Sequence, residues 1–275
     1  MVTNFQDGVS IITIVLNGEK YIEDTIKSVI SQKGVYLEYI IIDGGSSDNT
    51  LNLINKYNEY ISRVVSEPDG GIYQAINKGI SHAQCSLIGI LNCGDCFLPG
   101  TISTVYQAFM ATEADIIYGD IQVKEEFENC IYIKKLIADH FQLKSRMSIF
   151  HPSTFVKHNK YLELGVYDVT YKLASDYDLF LNFYLKGCIY FHISAEIAIF
   201  RLGGISSSRF NLSIKENYLI RKRRIGTLYA VKYAGQRILN FVYFEVRRSL
   251  VRGLLGKKFY LLLKIKFKNH KYEEK

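Results

Sequence analysis

Residues 9–45 read VSIITIVL (9–16), NGEKYIEDTIKSVISQ (17–32) and, after a short link, YIIIDGG (39–45). The outer pieces are continuous β-branched and apolar runs, while the middle one sets Ile22, Ile26, Val29 and Ile30 at helical spacing. A helix between two strands that are apolar on both faces specifies a parallel sheet covered by helices on both sides. The alternation continues. Residues 46–61 predict a helix that Ser47 or Asp48 could cap, 62–67 a short strand, 71–83 a helix closed by Gly79, and 86–92 and 115–123 two more strands. This is a Rossmann-like α/β half ending near residue 120.

Beyond 121 the pattern loosens, with strand candidates at 130–137 and 188–200 and a helix opened by Ser175 or Asp176. We read this as the acceptor-side half of one domain spanning 1–212, followed by a basic amphipathic helical extension over 213–275. The 275 residues are 48% hydrophobic and 13% aromatic, ample for a large core. No window approaches the ~18 uninterrupted apolar residues of a membrane span, and the start lacks a basic lead and a cleavage site, so a mature cytoplasmic protein is expected. Five irregularly spaced cysteines point to reduced thiols, and the C-x-x-C of Cys93 and Cys96 has no second pair or neighbouring His to complete a zinc site.

In an open parallel sheet, ligands bind beyond the carboxyl ends of the strands. Asp43, Glu67 with Asp69, and Asp95 follow three successive predicted strands, each beside glycines that let a ligand approach the backbone. Any one of these acids could merely cap the next helix; together they favour a site. An acidic edge suits a phosphate ligand that arrives with a divalent cation, and Mg²⁺ or Mn²⁺ needs only one or two protein carboxylates. A carboxylate such as Asp43 could instead accept hydrogen bonds from a base or a ribose.

The ordered set VSIITIVLNGEKYIEDTIKSVISQ, EYIIIDGGSSDNT, SEPDGGIYQAINKGI, LNCGD, HPSTF and LASDYDLFL, spanning about residues 9–205, resembles family 2 glycosyltransferases of the GT-A fold. It is most similar to bacterial enzymes that build surface polysaccharides such as colanic acid or O-antigen. The resemblance implies that Asp43 contacts the nucleotide base, that Asp95 binds the metal with help from Asn92, and that Asp176 is the catalytic base. Asp178 then has a structural role in the helix start. Two departures stand out: the usual PTYN reads IVLN here, leaving Asn17, and the acid-rich metal motif is reduced to Asn92-Cys-Gly-Asp95. His151 is either a core histidine or an acceptor- or diphosphate-site group. Asn77 either packs its helix or faces the nucleotide, and Asp69 is a turn residue or a ligand contact. Arg201 and Arg209 flank GGISSS, a stretch that could close over a diphosphate or remain a solvated loop.

One base without a second nucleophile implies inversion at the anomeric carbon. The expected activity moves a sugar from a nucleoside-diphosphate sugar, a UDP-sugar being favoured, to a glycan or polyprenyl-linked acceptor. Alternatives are a degenerate nucleotide-sugar-binding module and a sugar nucleotidyltransferase, for which VLNGEKY is a poor phosphate loop. The net charge of +7 is concentrated in the tail, where residues 213–275 hold 17 Lys/Arg against 4 Asp/Glu. IRKRRIG (220–226), FEVRRSLVRG (244–253) and GKKFYLLLKIKFKNHK (256–271) interleave basic and apolar residues, a pattern that suits the inner face of an anionic membrane better than nucleic acid. A helical cap on the domain with solvated charges is the other reading.

Overall fold

In a computed structural model, residues 5–126, 130–202, 210–240, 243 and 272–274 are described. The chain opens as expected with β1 (Gln6–Val15), α1 (Ile22–Ile30), β2 (Leu37–Asp43), α2 (Thr50–Asn55), β3 (Arg63–Ser66), α3 (Ile72–His82) and β4 (Cys85–Ile90). Then come β5 (Cys96–Phe97), α4 (Thr101–Ala111), β6 (Ile116–Glu126), β7 (Cys130–Leu136), β8 (Thr154–Lys157), α5 (His158–Leu164), α6 (Ser175–Leu185), β9 (Tyr190–Arg201), α7 (Phe210–Arg224) and β10 (Tyr272–Glu274).

The strands form one sheet in the order β10-β7-β6-β8-β4-β1-β2-β3, with β9 beside β6 and β5. The β4-β1-β2-β3 portion is parallel. Beyond it, β8 runs antiparallel to both β4 and β6, and the β6–β7 hairpin is antiparallel. The mostly parallel sheet expected from the sequence is therefore confined to the first half, apart from the β6–β9 pair.

Alternation along β1 divides the core. Ile12 and Ile14 pack with α3 and α6 on one face; Val9 and Ile11 pack with α1, α2 and α4 on the other. Each fully buried isoleucine contributes about 1.5–3 kcal/mol. Gly79 does not close α3 as expected but lies inside it. A Cβ there would stand 2.3 Å from Ile12 Cγ2, so glycine lets the helix settle on β1.

The helical extension expected over 213–275 is only partly helical. Residues 227–240 continue as helix after α7, whereas β10 pairs with β7 at the edge of the main sheet. FEVRRSLVRG and GKKFYLLLKIKFKNHK lie wholly outside the described residues.

Candidate active site

At the carboxyl edge of the parallel strands the chain organises its own loops. Asp43 ends β2 fully buried; its Oδ2 accepts from the amides of Gly45 (3.2 Å) and Ser46 (3.0 Å) and from the Ser66 hydroxyl (2.7 Å), while Oδ1 takes the Ser46 hydroxyl. Asn17, at φ +50°, donates its amide to Ser46 Oγ and accepts from the Ser47 amide at 2.9 Å, tying the β1 and β2 loops together. Asp69 accepts from the Gly71 amide at 2.9 Å, and its other oxygen lies beside Gly44. The turn amides that hold Asp43 and Asp69 are local, whereas Asn17 bridges two loops.

Asp95 is buried behind this edge at 4% exposure, and its Oδ1 accepts the Arg201 amide at 3.0 Å. Burial pushes its carboxyl up to about 7, against that hydrogen bond. The Arg201 guanidinium sits 4.4 Å over the Tyr21 ring and 3.6 Å from Asp24; Arg209 and the GGISSS stretch lie outside the described residues. Asn92 Oδ1 is buried without a hydrogen-bond partner. No group of three or more His, Cys, Asp or Glu side chains that could hold a metal exists among the described residues. Asp95 and the unpaired Asn92 oxygen are two oxygen donors of the kind a divalent cation takes, and such a cation would need its other ligands from phosphate oxygens and water. Cys93 and Cys96 are free thiols, and burial pushes Cys93 up to about 12, which leaves it unreactive.

A cleft of about 670 Å³ opens between α3, the β6–β7 hairpin and the start of α6. Asn92, His151 and Asp176 all line it, together with Tyr73, Glu125 and Lys134. Of the residues expected in the site, it brings these three together; Asn17, Asp43, Asp69, Asn77 and Asp95 are not on its wall. Burial raises the Asp176 carboxyl to about 6, although the Tyr177 amide donates to it at 2.8 Å and the Tyr73 side chain engages it as well. Burial likewise lowers His151 to about 4, so its ring is neutral at pH 7, hydrogen-bonded through Nε2 to the Tyr167 hydroxyl at 3.0 Å.

Asn77 packs against the loop that carries Tyr167. Its Nδ2 donates to the Tyr167 carbonyl at 2.8 Å and its Oδ1 accepts the Tyr167 amide at 3.0 Å, leaving one N–H and one lone pair uncommitted. It fixes Tyr167, which stacks on Tyr73 at 5.7 Å and holds His151.

Asp176 and Asp178 have separate partners. Asp178, 3% exposed, accepts from Arg223 Nη2 (2.6 Å) and from Arg224 Nε (2.9 Å) and Nη2 (2.8 Å), so its structural role is to anchor α7. Neither Ser175 nor Asp176 is the N-cap of α6. That position is Ala174, and the Ser175 hydroxyl is buried without a partner. Glu216 of α7 instead accepts the amides of Lys172 (2.7 Å), Leu173 (2.9 Å) and Ala174 (3.0 Å). Tyr73, Tyr167 and Glu216 escaped the sequence reading. Glu216 did leave a trace there, as the single acid between Glu196 and Glu245.

The arginines of IRKRRIG are largely committed within the fold. Besides the Asp178 pairs, Arg221 is 1% exposed, donates to Asn217 and to the Ser145 carbonyl, and lies between the rings of Tyr177 and Tyr233. These contacts dock the segment on the domain.

The family model of Glycosyl transferase family 2 matches residues 10–168. A glycosyltransferase of Mycobacterium tuberculosis is 27% identical over 250 residues, covering 87% of this chain and 90% of its own length. The chondroitin synthase of Pasteurella multocida is 36% identical over 104 residues, 37% of this chain and 11% of that protein. Among solved structures, S. aureus TarS in complex with UDP-GlcNAc superposes with a TM-score of 0.63 at 15% identity, covering 91% of this chain and 76% of that one. A mannosyltransferase from Pyrobaculum calidifontis with GDP-Man and Mn²⁺ gives 0.57 at 12% identity, covering 94% and 84%. These two likenesses establish the shared GT-A architecture.

Proposed function

Since the chain belongs to glycosyl transferase family 2 and is a glycosyltransferase, we propose that it inverts the anomeric centre of a nucleoside-diphosphate sugar, with Asp176 as the base. The observation carrying this reading is the Asp176 carboxyl, which lines the cleft and is lifted to about 6. At pH 7 such a group is mostly ionised yet basic enough to take a proton, the compromise a general base requires. As the acceptor oxygen bonds to the anomeric carbon, its proton passes to Asp176 and the bond to the nucleoside diphosphate breaks.

The neutral His151 ring donates or accepts a hydrogen bond without adding charge. Asp43 and Asn17 shape the loop that receives the nucleotide, and Asp69 stands beside the glycine that follows Asp43. Asp95 and Asn92 would hold Mg²⁺ or Mn²⁺; when bound, the cation neutralises charge on the leaving diphosphate. A UDP-sugar is the proposed donor, a reading supported by the UDP-GlcNAc held by TarS.

For the acceptor we propose a lipid-linked glycan met at a membrane surface, in surface-polysaccharide synthesis. No helix among the described residues is long and apolar enough to cross a membrane. The helical run 227–240, however, exposes Leu228, Val231, Ile238 and Leu239 along one stripe, with Lys232 beside it. Apolar burial combined with basic charge favours an anionic bilayer.

Thermal stabilisation by UDP, GDP, dTDP and CMP, each with and without Mn²⁺, tests the donor side. A ligand at 100 times its Kd adds about 2.7 kcal/mol. A UDP shift that needs Mn²⁺ and is lost in D95A supports the assignment; no shift with any of the four rejects it.

A further inference from the structure

Glu216 lies 40 residues beyond Asp176 in sequence, outside the family-matched segment, yet its buried carboxylate reaches the backbone immediately before the base. Three consecutive amides, those of Lys172, Leu173 and Ala174, converge on its two oxygens at 2.7–3.0 Å. Charge-assisted bonds of this kind are stronger than neutral ones, and three of them to one side chain define the path of the strand they hold. Two residues beyond the base, Asp178 binds Arg223 and Arg224 of the same helix. The turn carrying Asp176 is thus gripped by α7 from both sides.

We propose that Glu216 is a positioning residue for catalysis: it holds the 172–174 backbone so that Asp176 meets the acceptor hydroxyl in the cleft. This rests on the reading of Asp176 as the base. The charge of Glu216 acts in the same direction as burial. The titratable groups around Asp176 are Tyr73 on α3, Tyr167 on the preceding loop and Glu216 on α7, with His151, Glu125 and Lys134 on the shared cleft wall. Among them Glu216 opposes ionisation of Asp176, with burial as the larger cause.

The test compares full-length wild type, E216Q and D176N in two measurements. The first is amide exchange at 172–174, which needs no substrate; E216Q should exchange about tenfold faster there, with β1 and β2 unchanged. The second is the kcat–pH profile of donor hydrolysis, with water as the acceptor hydroxyl and nucleoside diphosphate release as the readout, on a panel of UDP-glucose, UDP-galactose, UDP-GlcNAc and GDP-mannose. E216Q should lose about 10²-fold in kcat, the scale of a small misplacement of a reacting group, with donor KM unchanged. Its acid limb should also move below that of wild type, because a like charge has been removed. A purely structural role would lower the yield of folded enzyme without moving the limb.

Faster exchange with unaltered kcat and limb overturns the proposal, as does unaltered exchange. Full turnover by D176N refutes instead the base assignment on which the proposal rests, and the exchange data then report on the Glu216 contacts alone. Should E216Q not fold, Glu216→Asp keeps the charge and shortens the reach. A fall in its kcat with the limb in place supports the proposal, and wild-type kcat overturns it.

Discussion

The carboxyl edge of β1–β3 and the corner where α6 meets α7 both hold buried acids, but they hold them differently. Asp43 takes most of its partners from Gly45 and Ser46, two and three residues away. Asp178 and Glu216 take theirs across 42–46 residues. In the first region the turn amides come from the local chain, and the longer links, Asn17 to Ser47 and Ser66 to Asp43, join neighbouring parallel strands. The second exists only once two distant helices have docked, so perturbing it should cost more.

The largest expected effect separates the two aspartates of α6. D176N should lower kcat by about 10²–10⁴-fold while leaving nucleotide binding intact, measured by turnover alongside nucleotide-induced thermal shift. In the wild type, kcat should decline as pH falls through about 6, where Asp176 takes up a proton. D178A should instead act on stability. Removing the buried acceptor of two partly exposed arginines costs about 1–3 kcal/mol in a denaturant titration. If D178A cost no more than a surface change, the contrast between the regions would collapse.

An effect of the opposite sign belongs to D176N itself. A carboxyl whose pKa is raised on folding stabilises the fold fully only below the unfolded value, and this contribution disappears as pH rises through about 6. Wild type therefore carries a cost at pH 7 that D176N escapes, a gain of about 1–3 kcal/mol in unfolding free energy that vanishes below about pH 4. G79A should destabilise by about 1–3 kcal/mol, because its methyl would overlap Ile12. S66A should have the smallest effect, about 1 kcal/mol, since Asp43 keeps its turn amides. A larger loss there would mean that the donor edge depends on distant contacts as much as the α6–α7 corner does.

The sequence by itself determined the parallel half, because β-branched runs alternating with helical spacing admit one packing, and it placed Asp43, Asp69 and Asp95 at the strand ends by position alone. It marked Asp176 as the candidate base. It also called for a serine or aspartate cap on α6 and a membrane role for the arginines of IRKRRIG, and it allowed a nucleotide contact for Asn77. The tertiary structure supplied partners that the sequence did not show: Glu216 rather than a capping side chain holds the amides before α6, Asp178 and aromatic rings bind arginines of IRKRRIG, and Tyr167 bonds Asn77. The antiparallel strand β8, between β4 and β6, was likewise decided by docking. The reason is one of range. Periodicity and turn chemistry are written into neighbouring residues, whereas a buried polar group takes whichever partner the folded chain brings within about 3 Å, and that partner can be any distance away in sequence.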